Sequence, residues 1–230
     1  KFLGNPEYTC GSFVLFLIKR PSQTQDDFIS SNNSLPILQS QHMKVHFIQS
    51  NYPFMDSNFY TLPAKQSDVT NGLFAVAGQS DSDDDSSFLE LINLYFMGPV
   101  YTDNLLYSTS IYMWVDIYQL DDLRVPSSTD NDFPVNVAIT TELFQEVLMY
   151  EIHLTIVNQK TQRTWHLDYK RGDQYSDSDL IWKPSLLLDS GSTNSVYLKF
   201  STQAVANVQI RMYTDRPIPD NWLEGQKTEV

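Results

Sequence analysis

Chemistry in a protein needs titratable or metal-ligating side chains at usable spacings, and this chain has few of them. Its four histidines are His42, His46, His153 and His166. His42 and His46 stand four apart, which would pair them on a helix. Their surroundings read as a strand, where that spacing shares a face but separates the rings, and a metal site needs further ligands. His166 and Asp168 share a strand face, but no serine sits in a Gly-x-Ser-x-Gly elbow to complete a hydrolase triad. Glycoside cleavage needs two enclosed carboxyls, whereas most acids here fall in polar loops. Asp81, Asp83, Asp84 and Asp85 could ligate calcium through oxygen. That cluster lacks the glycine turn and distal glutamate of an EF-hand loop and reads as a solvated loop tip. There is no phosphate-cradling glycine loop. The expectation is a protein that is not an enzyme, with no cofactor and no metal.

Recognition motifs are sparse too. Arg171, Gly172 and Asp173 fall on a turn between strands and resemble the integrin-recognition tripeptide of adhesion ligands and some virus surface loops. They are a candidate receptor contact, although an ordinary glycine turn explains them as well. Asn32-Asn33-Ser34 matches a glycosylation acceptor. The aromatic-rich stretch 52–60 could stack on sugars or plug an interface. The formal net charge of −13 repels phosphate, so strong nucleic-acid binding by the folded domain is not expected. The single cysteine, Cys10, can form neither an internal disulfide nor a cysteine-based zinc site, in keeping with a reducing compartment. No run approaches the roughly 18 apolar residues of a membrane-spanning helix. The first residue is Lys1, so the chain is expected to be a fragment or a processing product.

The elements that would position any site read as strands. Ser108 to Pro126 (STSIYMWVDIYQLDDLRVP) alternates Ile111, Met113, Val115 and Ile117 with Tyr112, Trp114, Asp116 and Tyr118. Period two puts these sets on opposite faces of one strand, aliphatic and mostly aromatic. Such a strand is covered on both sides, or has one face in a core and one at an interface. Phe13–Ile18 reads as a strand buried on both faces. Met43–Ile48 and Leu73–Ala77 read as strands, and Phe88–Met97 fits a buried strand or a helix, with the β context favouring a strand. Beyond Pro126 the alternations are Val135/Val137/Ile139, Leu148 to Ile156, Thr164 to Tyr169, Val196/Leu198/Phe200 and Val208/Ile210/Met212. A turn is expected at Asn158–Thr161. Eight to ten short strands without a long amphipathic helix predict an all-β, antiparallel β-sandwich or barrel.

Two segments carry a resemblance. Asn5-Pro6-Glu7-Tyr8-Thr9-Cys10-Gly11 leading into Phe13–Ile18 is similar to a strand-opening segment of picorna-like virus capsid proteins. Ile111–Tyr118 running into Asp121-Asp122-Leu123-Arg124-Val125-Pro126 resembles a late jelly-roll strand of that family. The resemblance implies a jelly-roll-like β-sandwich processed from a polyprotein and assembled with other capsid subunits into an icosahedral shell. It implies location in the virion after assembly in the host cytoplasm. On it, residues 1–230 form one jelly-roll-like domain; the alternative is part of a roll over 1–126 and a second β domain over 127–230. The expected subunit interface is Tyr112, Trp114 and Tyr118, with Trp222 in a proline-containing tail lying on a neighbour. The competing function is a receptor- or carbohydrate-binding sandwich such as a virus spike domain.

Overall fold

A computed structural model describes residues 13–18, 44–50, 66–77, 92, 104–113, 116–143, 151–170, 180–201, 206–219 and 222. The chain divides into two compact units, Lys1–Leu94 with Asp177–Asp179, and Tyr95–Ser176 with Leu180–Val230.

The first unit holds β1 (Phe13–Ile18), β2 (Lys44–Ser50) and β3 (Phe74–Ala77) in the order β1-β2-β3. Both pairings are parallel, unlike the antiparallel pattern expected throughout; parallel strands require crossovers, and the stretches of sequence between these strands are long enough for them. Central β2 is buried from Val45 to Gln49. β1 is not buried on both faces as its composition predicted. Phe16 stacks on Phe47 at 5.0 Å yet is 47% exposed, and neighbouring Leu17 is 49% exposed. β1 stands at the end of this three-strand order with one described neighbour, and an apolar run is covered only where other strands or layers enclose it.

A helical turn over 66–69 leads into β3. The Thr70 hydroxyl accepts from the Val45 amide at 3.2 Å and donates to the Gln66 carbonyl at 2.7 Å. The Leu73 amide donates to Nδ1 of buried His46 at 3.2 Å, so the proton of the neutral ring sits on Nε2. His46 thus has a structural task. Gly72 lets this turn lie against β2: a Cβ there would stand 1.8 Å from the Val45 carbonyl oxygen.

The second unit is a β-sandwich. One sheet runs β10-β7-β12-β4, from β4 (Asn104–Met113), β7 (Asp132–Leu143), β10 (Leu180–Asp189) and β12 (Ala206–Thr214). The other runs β5-β11-β8-β9, from β5 (Asp116–Gln119), β8 (Glu151–Asn158), β9 (Thr164–Lys170) and β11 (Thr193–Ser201), and short β6 (Leu123–Arg124) also pairs with β11. All these pairings are antiparallel. Among the described strands of this unit, only β8 and β9 are chain neighbours that pair with each other; the steps β4→β5, β6→β7, β7→β8, β9→β10, β10→β11 and β11→β12 change sheet. That repeated alternation is the jelly-roll-like pattern expected. The alternating apolar sets fill the gap between sheets: Val135, Val137 and Ile139 meet Ile152, Leu154, Ile156, Val196, Leu198, Phe200, Val208, Ile210 and Met212 in one core.

Two expectations need correction here. Ile111–Tyr118 is not one strand. β4 ends at Met113 in one sheet and β5 starts at Asp116 in the other. Opposed sheets present opposite sides to their shared core, so the buried parity flips at the crossing. Ile111 leans on the core while Tyr112 is 53% exposed; beyond it Ile117 is 62% exposed while Tyr118 packs on the core. The two-faced apolar pattern therefore serves two sheets, and the Tyr107 hydroxyl donates to the Asp121 carbonyl at 3.0 Å across the join. β10 was not anticipated, because Pro184 interrupts its pattern. The proline is accommodated by a register shift between Lys183 and Leu186, at one end of the sheet order, where Ser185 has φ 58° and its amide donates to Asn136 Oδ1 at 2.9 Å. The segment 127–131 joins β6 to β7 inside this unit, and the Asn158–Thr161 turn is present as read.

β12 is buried on both sides: Val208, Ile210 and Met212 face the core, and Asn207, Gln209, Arg211 and Tyr213 are buried on the other face. Arg211 donates to the carbonyls of Thr109 and Ile210 and to Ser110 Oγ.

Gly72→Ala should cost about 1–3 kcal/mol, as an overpacked site does, and should speed amide exchange selectively in β2 and β3. Burial pushes the Tyr213 phenol well above its ordinary 10.0. The unfolded phenol ionises first as pH rises, so stability is unaffected below pH 10 and falls above it. Tyr213→Phe should flatten that alkaline loss in urea titrations run from pH 8 to 11.

Candidate functional site

The outward face of the β5-β11-β8-β9 sheet is where described polar side chains gather. Because the odd residues of β9 and the even residues of β8 and β11 enter the core, their alternates must face outward. The register sets them in rows: Glu151 beside Lys170 and Ser201, His153 beside Asp168 and Lys199, and Thr155 beside His166 and Tyr197. On β5, Ile117 lies beside Lys199, and Gln119 beside Tyr197.

Charges pair along these rows. Lys170 Nζ lies 3.2 Å from Glu151, and His153 Nδ1 lies 2.7 Å from Asp168, with its Nε2 3.7 Å from Glu151. The Lys170 ammonium, by hydrogen bond and by charge, holds the Glu151 carboxyl below the usual carboxylate range, and His153 adds to this. His166 Nδ1 and the Thr155 hydroxyl share a hydrogen bond of 3.2 Å. His166 and Asp168 thus share a face as predicted, but each has its cross-strand partner on β8 rather than the other. The face offers paired charges and hydroxyls in fixed rows. Among the described residues no group of three or more His, Cys, Asp or Glu is arranged to hold a metal ion.

At one end of the sandwich the β8–β9 turn is tied down. Asn158 Oδ1 accepts from the Lys160 and Thr161 amides at 2.8 and 2.9 Å, which fixes an Asx-type turn. Its Nδ2 donates to Asp189 Oδ2 at 2.7 Å, and Arg163 binds Asp189 Oδ1 at 2.8 Å while lying over the Trp165 ring at 4.8 Å. Asp189 ends β10 in the opposite sheet, so one carboxylate holds the hairpin to its facing layer.

Of the residues singled out by sequence, Tyr112 lies on β4 with its side chain exposed, Tyr118 lies on β5 with its ring against the chain's own core, and Trp222 is half-buried against that same core. Tyr112 and Tyr118 therefore belong to different sheets. Trp114, Arg171, Gly172, Asp173, His42, Cys10, the 32–34 acceptor, the 52–60 stretch and the 81–85 cluster lie outside the described residues. Sequence reading overlooked Tyr197, Lys199 and Glu151 and gave His153 no role. Their signal was present as the polar half of the two alternations whose apolar half was used.

Asp189→Ala should destabilise the fold by about 1–3 kcal/mol, mainly because buried Asn158 loses an acceptor. Asp132→Ala, which removes only a 3.5 Å contact between half-exposed side chains, should change the urea midpoint little.

No protein-family model matches the chain, and no curated protein matches it. Solved structures similar in fold include a ruminal GH26 endo-β-1,4-mannanase, with TM-score 0.31, 11% identity, and 48% of this chain covered. A second is TmCBM61 in complex with β-1,4-galactotriose, with TM-score 0.29, 6% identity, and coverage of 47% of this chain and 70% of that one. A third is the C-terminal domain of A223, a structural protein from sulfolobus turreted icosahedral virus, with TM-score 0.28, 11% identity, and coverage of 50% and 99%. The chain spans 20% of the mannanase's length. These are likenesses of a β-sandwich architecture at low score and identity, and they carry nothing about activity.

Proposed function

We propose that this chain is a non-enzymatic structural protein of a non-enveloped icosahedral virus shell, acting by association with copies of itself and with other subunits. The observation that carries the reading is the sheet crossing between β4 and β5. It leaves two large side chains, Tyr112 and Ile117, more than half exposed on either side of the join. Exposed apolar groups cost little singly, but on the two strands that flank the crossing, one in each sheet, they supply the kind of aromatic and aliphatic anchors that subunit interfaces bury. The textural resemblance of Asn5–Ile18 and Ile111–Pro126 to picorna-like capsid segments points the same way. On this reading the protein resides in the virion, its partners are sister subunits, and receptor contact through Arg171-Gly172-Asp173 is an added role of the shell's outer surface.

Electron microscopy and light scattering of the purified chain, alone and with any co-encoded sister chains, test this. Closed particles or defined oligomers are expected. Ile117→Lys with Tyr112→Ser should weaken association by about tenfold or more, as loss of an interface anchor does, with the melting temperature nearly unchanged. A monomer at high concentration with its sister chains present would refute the proposal.

A further inference from the structure

The outward face of the β5-β11-β8-β9 sheet has a property that the assembly reading does not use. At its centre Tyr197 lies between Gln119 on β5 and Thr155 on β8, with Lys199 next along its own strand. The side chains of Tyr197, Lys199 and Gln119 make no hydrogen bond to any described residue, whereas the charged groups towards β9 are already paired with one another. The region therefore combines one aromatic surface with unspent donors and acceptors on both sides. Its formal charge also cancels: Lys170, Lys199 and Arg124 offset Glu151, Asp168 and Asp122, which accepts from Ser195 Oγ. In a chain of net charge −13, a locally neutral hydrogen-bonding face is distinctive.

We propose that this face binds a neutral oligosaccharide, with Tyr197 as the platform. The C–H face of a pyranose ring is apolar and matches the face of a phenol ring. Its hydroxyls each donate and accept, which matches Gln119, Lys199 and the hydroxyls of Thr155 and Tyr197. A nucleic acid or another polyanion meets the repulsion of the whole chain. Ile117, the anchor of the proposed subunit contact, stands on β5 at the end of the strand order, one strand away from Tyr197 on β11. The charged pairs Glu151–Lys170 and His153–Asp168 stay intact beside the ligand and hold the strands in register.

The full chain, fluorescently labelled, should be applied to an array of oligosaccharides ending in glucose, galactose, mannose or N-acetylhexosamine, with sialylated and sulfated sets alongside. The best neutral ligand should then be titrated by calorimetry. Selective binding of neutral oligosaccharides is expected. Tyr197→Ala should weaken it by about tenfold, the scale of one lost aromatic contact, and Tyr197→Phe should retain most of it. If Tyr197→Ala melts early, Thr155→Arg serves in its place, since it fills the same face from a half-buried position beside Tyr197 and should also abolish binding. Absence of binding to every neutral oligosaccharide at millimolar concentration overturns the proposal. So does binding confined to the sialylated or sulfated sets, or binding indifferent to position 197 in folded protein.

Discussion

The sandwich depends on a strand that water reaches from neither side. β12 lies between β7 and β4 and buries an apolar set in the core and a polar set on the opposite face. The polar set includes the guanidinium of Arg211. A buried charge is tolerated only where donors find acceptors, because an unmet one costs several kcal/mol. Arg211 meets this by donating to main-chain carbonyls and to Ser110 on β4. That demand specifies the neighbour and its register in a way that interchangeable aliphatic contacts do not. The register also absorbs an irregularity, a shift between Met212 and Tyr213 opposite Tyr107 and Leu105. It leaves Leu105, Leu106 and Tyr107 all buried in succession, which strict alternation would forbid.

How legible was this fold? Wherever one strand faced one core, alternation read it correctly: β7, β8, β11 and β12 are the apolar runs of the sequence. Alternation failed where its premise failed. Between the end of β4 at Met113 and the start of β5 at Asp116 the chain passes from one sheet to the facing one, so the meaning of inward reverses within a few residues, and no local pattern marks the reversal. At β10 the proline looked like an interruption because a sequence does not say which strands will lie at the end of a sheet. At β1 an apolar run promised burial, but burial is conferred by what packs around a strand, and composition does not report that. The parallel pairing of β1-β2-β3 is a property of chain path, equally invisible to periodicity.

The functional surface was legible by half. Each amphipathic strand defines two faces at once, and the apolar one identified the core. The complementary residues, from Glu151 to Lys170 on the hairpin and Ser195 to Ser201 on β11, were equally determined by parity. Their importance arises only when separate strands come side by side: Tyr197 is far from Gln119 in sequence and adjacent to it in the sheet. Conspicuous local motifs drew attention because their spacing was short. The rows of the open sheet are long-range constructions, and the strongly non-local order of the strands hides them.

Pro184 and Ser185 do more than bend β10. A strand at the end of a sheet is a template for another strand, and growth from it has no natural stopping point. Here the proline offers no amide hydrogen, and the amide of Ser185 is already committed inward to Asn136. Two consecutive positions are thereby withdrawn from main-chain pairing at the middle of the strand. Among the described residues, the margin of β10 away from β7 is thus a poor template for a further strand at its middle.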